Sequence, residues 1–158
     1  MRPPSAPTLC AGLLLAPPLA LPAAAAAQSP DARVAAAVDR FVPAIVEARH
    51  RIHQNPELGN REFKTAEMVA RHLRSLGMEV QTGVAHTGVV GVLRGGRLGP
   101  VVAVRADMDA LPVTEDTPYP FKSTVRNTYN GQEVGVAHAC GHDIHVAVQM
   151  GVASVLAS

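Results

Sequence analysis

The C-terminal stretch of the chain places the strongest constraint on its fold. Residues 143–157 form a strongly apolar run of helical length that continues almost to the last residue. An apolar helix needs neighbours on more than one side to bury its surface. The sequence predicts three helices and three strands in all, and these are too few to bury the apolar surface of this helix on every side. We therefore expect the fold to continue beyond Ser158.

Two amphipathic helices are predicted upstream. A serine followed by a proline at positions 29 and 30 is typical of a helix start, and apolar residues then recur at helical spacing over residues 31–53. A second apolar stripe covers residues 62–76 and is followed by Gly77, a residue type that commonly terminates helices. The first half of the chain thus predicts two helices joined by a short loop.

Three short strands are predicted after the second helix, because β-branched or apolar runs alternate there with glycine-rich turns. The run at residues 101–104 is apolar on both faces, which predicts a strand inside a sheet. Residues 117–136 are polar and rich in turn residues, so they form either a long loop or a small hairpin. The order of elements indicates an α/β fold with a mostly covered sheet. The predicted strands cover residues 78–81, 89–94 and 101–106.

The N-terminus has the composition of a secretory signal. A single basic residue, Arg2, precedes a stretch of leucine, alanine and proline over residues 9–27 that ends in small residues. A membrane anchor is the alternative, but three prolines interrupt a stretch that would need about 20 helical apolar residues to span a bilayer. We expect residues 1–27 to be a signal peptide cleaved after Ala27, so that residues 28–158 are exported to the periplasm or secreted.

Charge and cysteine content narrow the choice of partners. Loss of Arg2 with the signal leaves 13 basic and 13 acidic residues, with no block of either sign. Such a chain is not expected to bind nucleic acid, nor a membrane after signal cleavage. Loss of Cys10 leaves Cys140 as the one thiol in a compartment where paired cysteines oxidise to disulfides. This lone cysteine needs another explanation.

Metal-ligand residue types are concentrated just ahead of the C-terminal helix. Positions 138–145 contain three histidines, a cysteine and an aspartate around a glycine that permits a turn. Cys140 and His142 can point into one pocket, with His145 one helical turn further on, and a thiolate with imidazoles suits Zn²⁺, Mn²⁺ or Co²⁺. The alternative is a small buried cysteine among ordinary histidines. The density of ligand types favours a metal site whose remaining ligands come from elsewhere.

Two carboxylates follow the predicted strand at residues 101–106. Alternation along an extended chain puts Asp107 and Asp109 on the same side, and ligands bind at the carboxyl ends of strands in α/β sheets. One of the two could hold a ligand histidine in its metal-binding tautomer. The alternative is a pair of solvated carboxylates, one of them paired with Arg105.

These residues resemble the metallo-amidohydrolase (metallopeptidase) family that includes hippurate hydrolase, N-acyl-amino-acid deacylases and the plant auxin-conjugate hydrolases. The resemblance covers nearly all of the chain from Arg49 onward and is most specific in the histidine-rich segment. It implies a truncated α/β chain, namely the N-terminal part of a three-layer catalytic domain of the two-zinc aminopeptidase/deacylase fold, without its lid domain. The stretches that carry it are residues 51–58, 88–90, 105–112 and 138–145.

The same resemblance implies a site for two divalent ions, Mn²⁺, Zn²⁺ or Co²⁺. Cys140 and His142 match ligands of the family, and Asp109 occupies the place of the aspartate that supports the site. The family takes its remaining ligands and its general-base glutamate from later sequence. Glu115 and Glu133 are therefore not assigned to those roles.

The implied activity is hydrolysis of the amide bond of N-acyl amino acids or related small conjugates by metal-activated water. A homodimer of the full-length protein is left open. One alternative is a truncated, non-catalytic exported remnant that binds a metal, because several ligands are missing from this chain. A redox role for Cys140 would need a second cysteine to resolve a disulfide, and the mature chain lacks one.

Overall fold

Three helices and two hairpins make up the part of the chain that the structure describes. In the computed structural model of the protein this part is residues 29–158, so the predicted signal peptide lies outside it. No helix within residues 29–158 combines the length and the apolar character needed to cross a membrane. The elements in chain order are α1 (Pro30–Gln54), α2 (Phe63–Ser75), β1 (Glu79–Val84), β2 (Gly88–Val92), β3 (Arg126–Tyr129), β4 (Gln132–Gly135) and α3 (His142–Leu156).

The helix boundaries follow from local chemistry, and all three predicted helices are confirmed. The Ser29 hydroxyl accepts a hydrogen bond from the backbone N–H of Ala32 at 3.2 Å, which satisfies one of the free donors at the start of α1. Glu57, in the loop before α2, caps the start of that helix. Its carboxylate accepts hydrogen bonds from the backbone N–H groups of Lys64 and Thr65 at 3.1 and 2.8 Å. Gly77 follows α2 with a φ of 77°, a left-handed conformation that glycine adopts without strain.

The core lies where α1 packs against α3. Ile52 of α1 and Val146 and Met150 of α3 form one buried cluster. His72 of α2 anchors the far half of α3, since its Nε2 lies 3.0 Å from the carbonyl oxygen of Met150 and 3.1 Å from the hydroxyl of Ser154. The opposite face of α3 is open in the described residues. Its exposed apolar side chains are Ile144, Val148 and Leu156.

The prediction of a buried strand at residues 101–106 is wrong for the described residues. This segment forms no strand, and the side chains of Val101, Val102 and Val104 are 99%, 78% and 54% exposed. A strand needs a partner for its backbone hydrogen bonds. Within residues 29–158, however, β1 pairs only with β2 and β3 only with β4, each antiparallel, so no strand lies beside the segment. The expected sheet of three strands is therefore replaced by two separate hairpins.

The second hairpin confirms one of the two readings of the polar region at residues 117–136. Strands β3 and β4 pair from Arg126 opposite Gly135 to Tyr129 opposite Gln132. Asn130 and Gly131 connect them with φ values of 50° and 78°. Two successive positive φ angles in a two-residue loop are the geometry that asparagine followed by glycine favours in hairpins.

Candidate metal centre

The ring of His142 is fixed in one orientation by Asp109. His142 is the first residue of α3, and its Nδ1 lies 2.9 Å from the carbonyl oxygen and 3.0 Å from the carboxylate Oδ1 of Asp109. Both of these atoms are acceptors, so Nδ1 carries the proton and donates. In a neutral imidazole the other nitrogen, Nε2, then keeps a free lone pair, which is the form that binds a metal ion.

Asp107 and His145 complete a group with His142. One ligand atom of each of the three residues lies within 4.8 Å of the others. The hydrogen bond from Arg105 is the main cause that lowers the pKa of Asp107, so this carboxylate is ionised at neutral pH. A carboxylate with two imidazoles fits Zn²⁺, Mn²⁺ or Co²⁺. The donor set present is therefore compatible with one divalent ion.

The sequence-predicted site residues are only partly brought together. Asp109 and His142 are in direct contact, which is the arrangement expected of a supporting aspartate and a ligand. Cys140 is a free, exposed thiol, and it does not belong to the group formed by Asp107, His142 and His145. Gly141, with a φ of 80°, makes the turn that separates Cys140 from α3. The assignment of Cys140 as a ligand stays a prediction.

A buried network of charged side chains lies next to His142 and was not predicted from the sequence. Asp143 is 1% exposed, and its Oδ2 accepts hydrogen bonds from Arg49 Nε at 2.8 Å and from His53 Nδ1 at 2.9 Å. Burial acts to raise the pKa of Asp143, but the bonds from His53 and Arg49 outweigh it and hold the pKa below its ordinary value. Asp143 is thus an ionised carboxylate inside the protein, paired with two basic side chains of α1.

Glu115 extends this network from the loop that precedes β3. Its Oε1 lies 3.0 Å from His53 Nε2 and accepts from the Thr117 hydroxyl at 2.6 Å, while its Oε2 accepts the backbone N–H of Ser123 at 2.6 Å. Burial opposes ionisation, but these hydrogen bonds from Thr117, His53 and Ser123 lower the pKa of Glu115 to about 2. Both carboxylate oxygens are engaged here. Glu115 therefore serves the network and not the metal group.

The loop around Glu115 is also held by an aromatic stack. The ring of Phe121 stacks on the ring of His50 of α1, with centroids 3.9 Å apart. It also stacks on the ring of Tyr119, with centroids 5.3 Å apart. The guanidinium carbon of Arg49 lies 5.0 Å from the Phe121 centroid, within range of a cation–π interaction. These contacts attach the loop to the last turns of α1.

His138 is buried without a hydrogen-bond partner. The residue is 6% exposed, and neither of its ring nitrogens has a hydrogen-bond partner among the described residues. Burial lowers the pKa of His138 to about 4, so the ring is neutral at pH 7. This histidine of the ligand-rich segment therefore does not belong to the metal group; its ring centroid lies 6.3 Å from that of His53.

A sequence signal for part of the network was present. Arg49 and His53 are four residues apart on α1, so they lie on the same face of the helix. Asp143 stands at the start of an otherwise apolar helix, where an acidic residue is ordinarily read as a favourable charge near the helix N-terminus. These two signals do not indicate that Arg49 and His53 contact Asp143.

The depressed pKa of Glu115 predicts a specific pH dependence of stability. The folded-state pKa of about 2 lies below the ordinary value of 4.5, so Glu115 stabilises the folded state above pH 4.5 and this contribution is lost as the pH falls toward 2. Glu115→Gln removes this titration while keeping the side-chain shape. Denaturant unfolding at several pH values between 4.5 and 2 should show a shallower pH dependence of the unfolding free energy in the variant. Equal slopes would contradict the assignment.

Comparisons with known proteins connect this centre to a family of hydrolases. A model of peptidase family M20/M25/M40 matches residues 103–158, which contain Asp107, His142 and His145. Thermostable carboxypeptidase 2 of Saccharolobus solfataricus is 50% identical over 113 residues, which cover 71% of this chain and 27% of the relative. Hippurate hydrolase of Campylobacter jejuni is 47% identical over 110 residues, which cover 70% and 27%. The chain spans about a quarter of the length of these curated relatives.

A solved structure supports the same relationship and confirms the predicted fold class. The Bacillus subtilis YXEP protein, described as a dinuclear metal binding peptidase from the M20 family, is similar with a TM-score of 0.66 and 37% identity. The alignment covers 75% of this chain and 31% of that structure. The resemblance seen in the sequence is thereby confirmed: the chain is similar to peptidase family M20/M25/M40 over residues 103–158 and aligns with the N-terminal part of these relatives.

Proposed function

We propose that the protein to which this chain belongs is a metal-dependent hydrolase that cleaves the amide bond of N-acyl amino acids or related small conjugates. The observation that carries the proposal is the ring of His142, which Asp109 holds with Nε2 free beside Asp107 and His145. Similarity to this family supports a metal-dependent amide hydrolase in general. The name hippurate hydrolase of one relative supports the narrower substrate class, because hippurate is an N-acyl amino acid.

The residues of this chain would bind the metal ion and orient its ligands. Asp107, His142 and His145 would hold a divalent ion, and Asp109 keeps His142 in the tautomer that binding requires. A divalent ion at such a site polarises an amide carbonyl and lowers the pKa of water, which supplies a nucleophile at neutral pH. We propose that two ions, Mn²⁺, Zn²⁺ or Co²⁺, are used, with Cys140 as a further ligand beside His142.

The role of Cys140 has its own test. A thiolate bound to Co²⁺ gives a charge-transfer absorption in the near ultraviolet that imidazole and carboxylate ligands do not give. If Cys140 is a ligand, the Co²⁺-loaded protein shows this band and Cys140→Ser abolishes it. A spectrum without the band in the wild type would restrict the ligands in this chain to Asp107, His142 and His145.

Catalysis is tested on the full-length protein. Release of the free amino acid from hippurate and from N-acetyl amino acids is measured after metal removal and after addition of Mn²⁺, Zn²⁺ or Co²⁺. We expect hydrolysis only with a metal ion, and none in His142→Ala. Absence of hydrolysis of every N-acyl amino acid under all metal conditions would refute the proposed activity.

A second candidate is a non-catalytic exported domain that binds a metal ion. It is supported by the positions of the glutamates: within residues 29–158 none of the seven belongs to the group formed by Asp107, His142 and His145, and each contacts another group of the protein. These seven contacts are Glu47 with Arg51, Glu57 with Thr65, Glu62 with Thr87, Glu67 with Arg71, Glu79 with Arg94, Glu115 with His53 and Glu133 with Arg126. The coding sequence after codon 158 distinguishes the two: an in-frame continuation with further histidines and glutamates favours the enzyme, and an immediate stop favours the second candidate.

We also propose that the protein is exported, to the periplasm or the medium, because its first residues have the order of a signal peptide. Mass spectrometry of the mature N-terminus should find Gln28 as the first residue. A homodimer of the full-length protein is the assembly to test by sedimentation.

A further inference from the structure

His53 lies between two buried carboxylates. Its Nδ1 is 2.9 Å from Asp143 Oδ2 and its Nε2 is 3.0 Å from Glu115 Oε1, and the residue is 8% exposed. Ionised carboxylates only accept hydrogen bonds, so both ring nitrogens of His53 donate. Arg49 donates a further hydrogen bond to Asp143 Oδ2, so Asp143 is held by two side chains of α1.

This arrangement holds the first turn of α3 from one side. Asp143 follows His142 directly, and its carboxylate is tied to His53 and Arg49 at the end of α1. His142 is tied from the other side by Asp109. His142 and Asp143 are adjacent in the first turn of α3, so a shift of this turn would also move His142 relative to the acceptors of Asp109.

The second nitrogen of His53 connects the same turn to the loop. Glu115 binds His53 through Oε1 and the backbone of Ser123 through Oε2. The rings of Phe121 in this loop and His53 pack edge to face, with ring centroids 5.5 Å apart and planes at 82°. His53 thus joins α1, the loop and the first turn of α3.

We propose that His53 is a positioning residue for the metal centre: its two carboxylate bonds keep His142 in the Nδ1–H form, with Nε2 directed to the metal. This inference rests on the proposed metal site, but the tautomer of His142 can be measured without any metal. Loss of His53 would allow the first turn of α3 to shift and the contact between His142 and Asp109 to loosen. The Nε2–H tautomer, which cannot bind through Nε2, would then gain population.

His72 provides a matched control. It is also a histidine that fastens α3 to another helix through one ring nitrogen, but at Met150 and Ser154, at the other end of α3. A substitution that only weakens helix packing would act alike at His53 and His72. A positioning effect would act at His53 alone.

The experiment compares His53→Gln and His72→Gln in the metal-free, ¹⁵N-labelled full-length protein by long-range ¹H–¹⁵N correlation of the histidine rings. We expect His142 to be the Nδ1–H tautomer in the wild type and in His72→Gln, and to show the Nε2–H tautomer in His53→Gln. Zn²⁺ titration of the same samples should give an affinity about 10–100-fold lower in His53→Gln, the usual effect of removing an outer-shell partner. An unchanged His142 tautomer in His53→Gln, or the same change in His72→Gln, would overturn the proposal.

A second variant covers the case in which His53→Gln does not fold. Glu115→Gln keeps His53 and removes one of its two ionic partners, and it should shift the His142 tautomer in the same direction, by less. No shift in this folded variant would overturn the role of His53. If the wild type bound no Zn²⁺, the proposed function would fail while the tautomer comparison would still decide the role of His53.

Discussion

Asp143→Ala is expected to lower the free energy of unfolding by about 3–5 kcal/mol, the usual cost of breaking a buried ion pair by removing one partner. The substitution leaves the side chains of Arg49 and His53 without the acceptor that they share. It also removes the contact that attaches the first turn of α3 to the end of α1. Both effects act in the same direction, because each opposes the packing of these two helices.

Urea unfolding of the metal-free protein, followed by circular dichroism, measures this change. Glu67→Ala is the matched control, since Glu67 and Arg71 form an ion pair at 3.2 Å but both side chains are about 70% exposed. Removing such a surface pair on a helix should cost less than about 1 kcal/mol. A loss of similar size in the two variants would show that the Asp143 network does not stabilise the protein.

The helices were predictable because their signals are local. The spacing of apolar residues, the Ser29 cap and the glycine after α2 act within a few residues, and the structure has helices within one residue of the predicted ends. The hairpin at β3 and β4 was predictable for the same reason, since Asn130 and Gly131 suffice to define its turn.

The strand predicted at residues 101–106 failed because a strand depends on partners far away in the sequence. Its apolar residues indicate a buried position, but burial and pairing require a neighbouring strand that residues 29–158 do not supply. The composition of a segment thus indicates its tendency to form a strand, but not whether a partner strand lies beside it.

The candidate site was predictable as a set of residue types and only in part as a geometry. Alternation along the chain predicted only that Asp107 or Asp109 could hold a ligand histidine, and the resemblance gave Asp109 the place of the supporting aspartate; the contact of Asp109 with His142 itself was not predicted. The buried network was missed because its partners are 90 residues apart for His53 and Asp143 and 62 apart for His53 and Glu115. No periodicity in the sequence encodes contacts over such separations.

His142→Ala is expected to have the largest effect on metal binding. The substitution removes one of the three donors of the group, and it removes the only one whose tautomer is fixed by two acceptors on Asp109. Asp109→Asn should weaken binding about 10–100-fold, as loss of an outer-shell partner does, and loss of the ligand itself should exceed that range. His72→Gln, which alters a histidine remote from the group, should bind as the wild type does.

Isothermal titration of the metal-free full-length protein with Zn²⁺, in the wild type and in His142→Ala, tests most directly whether His142 is a metal ligand. The wild type should bind Zn²⁺ at a defined site, and His142→Ala should bind it more than about 100-fold more weakly, beyond the range for an outer-shell partner. Equal affinities in the two proteins, or no binding by the wild type, would contradict the assignment of a metal centre at His142.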